Sequence, residues 1–174
     1  MAAAATPTDA IALLKADHRK VSGLFAKFKS AKGAEKKQRL VAEICTELTI
    51  HTLIEEEIFY PACRGEVEAD MIEEAYVEHD GAKMLIAELE AGDPGEEFYD
   101  AKVTVLSEQI EHHVAEEEKR SEGLFAQARA AGLDMDDLGT RMQARKEELL
   151  AQFKTDGVPP PEMRTFTSAA VAAR

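Results

Sequence analysis

The sequence predicts an all-α fold: an antiparallel up-down-up-down four-helix bundle with an additional C-terminal helix. Three observations carry that expectation. Apolar residues recur in steps of three and four through four long segments, and strand-like alternation is almost absent. The joins between segments are short and built from Gly, Pro and Asp, which sets successive helices antiparallel. At 174 residues the chain is long enough for one continuous core.

Each segment shows its own stripe. The first helix is expected from Thr6 as N-cap, with Pro7 in the first turn and Asp9 three residues after the cap, to about Lys32 before Gly33. Its apolar face is Ile11, Leu14, His18, Val21, Phe25 and Phe28, so a histidine lies in the stripe. The second, about Ala34 to Cys63, carries Leu40, Ile44, Leu48, His51, Glu55, Ile58 and Ala62. The third, about Glu68 to Glu90, carries Ile72, Ala75, His79, Ala82, Ile86 and Leu89. After Gly92-Asp93-Pro94-Gly95 the fourth is expected from Pro94 to Ala131, with Val103, Leu106, Ile110, His113, Glu117 and Leu124 in line. A further helix from Asp134 to about Lys154 places Met135, Leu138, Met142, Leu149 and Phe153 on one side. That side must cover either its own bundle or a second subunit in a homodimer. Residues 1–132 are thus the bundle, 133–154 the added amphipathic helix, and 155–174, with Pro159-Pro160-Pro161, a flexible or docking extension.

Composition narrows the function. Lys and Arg number 21 against 34 Asp and Glu, a net charge of −13, which disfavours nucleic acid and anionic membranes as partners. No apolar stretch approaches the ~20 residues needed to span a bilayer, and the start lacks the basic region of a signal peptide. Cys45 and Cys63 fall on one expected helix about 27 Å apart at about 1.5 Å per residue, beyond disulfide reach, so the expected setting is reducing and cytoplasmic.

The chemistry lies in two His-x-x-x-Glu words, His51 to Glu55 and His113 to Glu117. Residues four apart share a helix face, so each word aims an imidazole and a carboxylate inward together. A single histidine on a stripe is usually a hydrogen-bonded core residue. An ionised carboxylate there costs several kcal/mol unless a cation meets it, and this core lacks complementary donors. With His18 and His79 the set is four histidines and two glutamates from four helices, a first shell for a pair of borderline metal ions such as iron. Ferritin-like sites use Glu-x-x-His, the opposite order at spacing three. Structural zinc sites recruit cysteine, and no word here supports a nucleophilic triad. Glu56, Glu57, Glu116 and Glu118 read as solvated faces or acceptors for ligand N–H groups, and Tyr60, Tyr76 and Tyr99 as packing residues. Of the adjacent pair His112 and His113, the apolar stripe selects His113.

The segments Asp17-His18-Arg19, His51-Thr52-Leu53-Ile54-Glu55-Glu56-Glu57-Ile58-Phe59-Tyr60-Pro61, Val77-Glu78-His79 and His112-His113-Val114-Ala115-Glu116-Glu117-Glu118 resemble the hemerythrin-type HHE cation-binding domain over about residues 8 to 130. The resemblance implies a four-helix bundle around a non-haem di-iron centre. In it His18, His51, His79 and His113 are terminal ligands and Glu55 and Glu117 bridge, with zinc or manganese as substitutes for the two irons. It also marks departures from the oxygen carriers: Ala75 stands where they have a further histidine, and their last histidine is followed by an aspartate five residues on. No proline follows Glu118, so the fourth helix is expected to run on. The function expected is binding or sensing of a small ligand, oxygen, nitric oxide or peroxide. An enzyme that decomposes peroxide or reduces nitric oxide, and an iron store or partner-docking module, would use the same ligands.

Overall fold

The computed structural model describes residues 9–167, and among them every regular element is helical. Helix α1 (Ala10–Ser30) packs on α2 (Ala34–Ile54), α2 on α4 (Ala69–Ala91), α4 on α5 (Tyr99–Glu118) and α5 back on α1, which closes a ring of four. All six apolar-stripe residues of α1 are buried, as are Ile72, Ala75, His79, Ala82, Ile86 and Leu89 of α4.

The helix ends differ from the expected ones where local chemistry is stronger than periodicity. Thr6 and Pro7 lie outside the described residues; the observed cap of α1 is Asp9, whose side chain accepts from the Ala12 N–H at 3.0 Å. Helix α1 stops at Ser30 rather than Lys32, because Ala31 is already extended. The fourth bundle helix starts at Tyr99, not Pro94, since Asp93 holds a turn by accepting from Gly95 N–H at 2.8 Å.

The same helix does not run on to Ala131. It ends at Glu118, and the chain turns through Gly123 into the short α6 (Leu124–Ala130). A Cβ on Gly123 would lie 2.6 Å from the Glu117 carbonyl oxygen and 2.6 Å from the Lys119 nitrogen, so only glycine allows the chain to fold back this tightly. The fold-back lays Phe125 on the His18 ring, centroids 5.8 Å apart and planes within 10°. Gly123→Ala is therefore expected to cost about 1–3 kcal/mol, an overpacking penalty, read as a lower urea midpoint at unchanged slope.

Helix α2 continues to Cys63 as expected, but through a wide π-helical turn, Glu55–Phe59, before α3 (Tyr60–Cys63). Pro61 supplies a reason: it has no N–H, and its ring crowds the preceding turn, which opens by one residue.

Helix α7 (Met135–Asp156) is capped by Asp134 and lies against α1, α2 and the π-turn. Its apolar face of Met135, Leu138, Met142, Leu149 and Phe153 is buried in the chain's own core, so no second subunit is needed to cover it. The C-terminal stretch, expected to be a flexible or docking extension, is fastened to the bundle as far as it is described. Asp80, fully buried, accepts the backbone N–H groups of Arg164, Thr165 and Phe166 and the Thr165 hydroxyl. Those four bonds overcome the effect of burial and hold the Asp80 carboxyl down at about 2.

Two apolar clusters, one around Leu14, Phe59 and Met142 and one around Phe25, Ile44 and Leu106, flank a polar layer across the bundle. Among the described residues no helix is long and apolar enough to cross a membrane, and both cysteines are free and buried.

Candidate metal centre

The polar layer contains all six residues singled out by the sequence: His18, His51, Glu55, His79, His113 and Glu117, each no more than 7 % exposed. They come from α1, α2, the π-turn, α4 and α5, because each sits on its helix's core stripe at the same depth of the bundle.

The histidines meet in pairs. His18 Nε2 lies 3.1 Å from His51 Nε2, and His79 Nε2 lies 3.3 Å from His113 Nε2. Two nitrogens bound at about 2.1 Å to one ion and at right angles would be about 3 Å apart, so each pair suits one cation. The carboxylates lie between the pairs. Glu55 Oε2 is 3.3 Å from both His51 Nε2 and His79 Nε2, while Glu117 Oε2 is 3.3 Å from His18 Nε2 and 3.6 Å from His113 Nε2. Either carboxylate therefore reaches both pairs.

Outward, each ring faces a carboxylate. His18 Nδ1 donates to Glu118 at 2.7 Å, His79 Nδ1 to Glu56 at 3.1 Å and His113 Nδ1 to Glu78 at 2.7 Å, which leaves each Nε2 lone pair pointing inward. His51 Nδ1 faces Asp17 at 3.6 Å, just beyond hydrogen-bond length. Glu118 and Glu56 thus accept from the His18 and His79 Nδ1–H groups. Glu57 instead pairs on the surface with Arg145 of α7 at 2.7 Å. His112 is turned outward with a side chain 67 % exposed, between Glu78 and Glu116 at 3.5 and 3.4 Å.

Without a cation this layer is electrostatically frustrated. Glu55 Oε1 and Glu117 Oε2 are buried with no hydrogen-bond partner. Burial, and then the Glu117 charge, push the Glu55 carboxyl well above its ordinary range. Burial acts on Glu117 in the same sense, but His113 and His18 outweigh it and keep Glu117 ionised. Of the two, Glu55 is therefore the one that favours a proton. Burial alone would lower His18 and His113; the Glu117 charge reverses this and raises both above 6.5. His51, where burial dominates, falls to about 4. Bound metal supplies the missing positive charge, and the donor set of imidazoles and carboxylates fits a first-row divalent ion.

A pH prediction follows with a definite sign. His18, His113 and Glu55 all hold a proton more tightly than their free groups do, and metal must displace it, so affinity should climb as pH rises. Binding should therefore release protons. Calorimetry in two buffers of different ionisation heat checks this; equal heats in both would contradict it.

Sequence reasoning missed Tyr60. Its hydroxyl, buried in the layer, donates to Glu117 Oε1 at 3.0 Å and lies 3.2 Å from Glu55 Oε2, 3.2 Å from His79 Nε2 and 3.5 Å from His113 Nε2. In a regular α-helix the fifth residue after Glu55 is turned about 140° away. The π-turn, closed by Tyr60 N–H on the Glu55 carbonyl, returns it to the same face. Pro61 inside an otherwise helical run was the one signal of that shift. Burial and the two glutamates hold the phenol well above its ordinary range, so it stays a neutral donor.

A model described as the hemerythrin HHE cation binding domain matches residues 9–125. The chain belongs to that family. A solved hemerythrin HHE cation binding domain-containing protein from Mycobacterium kansasii is 26% identical, with a TM-score of 0.71 over 86% of this chain and 94% of that one. A protein from a Nostoc species named DNA nickase is 30% identical over 117 residues, or 67% of this chain. The HHE chain spans only 32% of that relative's length.

The HHE centre here has a way in. A cavity of about 470 Å³ opens between α4 and the α5–α6 turn and is lined by Met71, Ala75, Glu78, Glu116, His113 and Glu117. Ala75, buried and small, lies on its wall.

Proposed function

We propose that this HHE domain binds two iron ions, one at His18 and His51 and one at His79 and His113, with Glu55 and Glu117 shared between them. The observation that carries this reading is that each carboxylate comes within 3.6 Å of a histidine nitrogen of both pairs. Iron bound there supplies an open coordination position for a small ligand. The chain supplies the rest: the cavity past Ala75 admits a molecule the size of oxygen, nitric oxide or peroxide, and the apolar clusters exclude bulk water.

Tyr60 favours a second reading, a peroxide- or nitric-oxide-consuming enzyme at the same centre. Its neutral O–H lies within 3.5 Å of both members of the His79 and His113 pair, where it can donate a hydrogen bond to a ligand on that side. Both buried thiols are free, in keeping with a reducing cytoplasmic setting. The net charge of −13 argues against a DNA substrate like that implied by the Nostoc relative's name.

The test is anaerobic loading with ferrous iron followed by separate additions of oxygen, nitric oxide and peroxide. Two irons per chain are expected, with spectral changes on ligand addition. Turnover of peroxide or nitric oxide that drops about tenfold or more in Tyr60→Phe would select the enzyme. Stoichiometric binding alone would select the sensor or carrier, and a folded protein that takes up no iron would end both readings.

A further inference from the structure

The carboxylates behind the four histidines differ in what stands behind them. Glu118 has Lys15 of α1 at 3.7 Å, and Glu78 has His112 of α5, all within the residues that match the family. Asp17 and Glu56 draw cations from beyond residue 125. Lys146 of α7 pairs with Asp17, and Arg164 of the fastened C-terminal segment donates through Nε to Glu56 at 2.6 Å. Lys83 of α4 adds a bond to Glu56 at 2.8 Å and another to the Glu162 carbonyl at 3.0 Å.

We propose that the C-terminal extension is part of the metal centre: Lys146 and Arg164 are positioning residues that hold Asp17 and Glu56, and through them the rings of His51 and His79. One histidine in each half of the centre is served this way. The proposal rests on the reading that the six inward residues bind iron.

The physical argument is one of burial and orientation. Asp17 and Glu56 are only 7 % and 4 % exposed, and a buried carboxylate paired with a cation is fixed in one rotamer. A fixed carboxylate favours one direction of the Nε2 lone pair, through a hydrogen bond at 3.1 Å from His79 Nδ1 to Glu56 and through charge across 3.6 Å from Asp17 to His51 Nδ1. Arg164 is delivered by its backbone. Because Asp80 accepts the N–H groups of Arg164, Thr165 and Phe166, the guanidinium can be removed without releasing the segment. That separates its charge from its anchoring.

The experiment uses the full chain as wild type, Lys146→Ala, Arg164→Ala, the double variant and Arg164→Lys. Arg141→Ala, whose only ion pair among the described residues is an exposed one with Asp137, controls for net charge. Ferrous iron affinity is measured by competition with a chelator, and the midpoint potential by optical redox titration. Each single alanine variant is expected to bind iron about 10- to 100-fold more weakly, the range for a lost partner one shell out from a metal. The double variant should bind more weakly still, and Arg164→Lys should recover most of the loss. The potential should fall in the alanine variants, since losing a nearby positive charge favours the ferric state. The metal-free melting temperature of Arg164→Ala should stay close to wild type.

Wild-type affinity and potential in both single variants would overturn the proposal while leaving the di-iron reading intact. So would an equal shift in Arg141→Ala, or a lower melting temperature with unchanged affinity. A wild type that takes up no iron would instead remove the di-iron reading, and this proposal with it.

Discussion

Glu55→Gln is expected to lose at least one of the two irons while making the metal-free protein harder to unfold. The opposite signs come from one cause. Glu55 is fully buried, its Oε1 has no partner, and its nearest acidic neighbour is the equally buried Glu117. In the metal-free protein burial and that neighbour raise its pKa well above the unfolded value of 4.5. A carboxyl raised in the folded state contributes stability below its unfolded pKa and loses it as pH rises through the folded pKa. The metal-free wild type should therefore weaken from pH 5 toward pH 8, and the glutamine variant, with nothing to titrate there, should weaken less. Its amide N–H can also meet the unpartnered Glu117 oxygen. The gain at pH 7 is on the order of 1–3 kcal/mol, the cost of one unpaired buried polar group. Metal binding moves the other way, because a neutral amide is a poor bridge between two cations. Native mass spectrometry with iron and metal-free melts at pH 5 and pH 8 test both halves. Two irons held as tightly as in wild type would show that Glu55 does not bridge.

His113→Ala and His112→Ala should differ as sharply as two neighbouring residues can. His113 is 4 % exposed, its Nε2 faces His79 and its Nδ1 donates to Glu78. Removing it takes a nitrogen from one half of the centre and frees Glu78 from its partner. One iron at least should be lost, and the remaining ion should bind at least about tenfold more weakly, since both share Glu117. His112 points into solvent, so its alanine variant should keep both irons and a wild-type melting temperature. Elemental analysis after gel filtration decides the comparison. Equal losses would mean that α5 is rotated by about 100° from the register described, with Glu116 in place of Glu117.

The sequence by itself determined the helical class, the bundle stripes (the second only as far as Glu55), the fifth helix and the six inward ligand-type residues. The reason is that all of them depend on local periodicity: a histidine four residues before a glutamate shares its face in any α-helix, whatever the helix packs against. The choice of His113 over His112 is legible for the same cause, from Val103, Leu106 and Ile110 alone.

What periodicity cannot express only the tertiary structure decided. Tyr60 reaches the centre because a π-turn breaks the period on which the reading was built. The fourth helix stops at Glu118 because Gly123 must lie against its last turn, a steric fact between residues that no stripe records. Helix α7 looked equally able to cover its own bundle or a second copy, since an apolar face does not name its partner. The segment after Asp156 read as a polar, proline-rich tail because its attachment runs through backbone N–H groups on Asp80, and backbone donors are the same in every sequence. Lys146 and Arg164 lie 129 and 108 residues from the carboxylates they hold, and only folding brings those charges together.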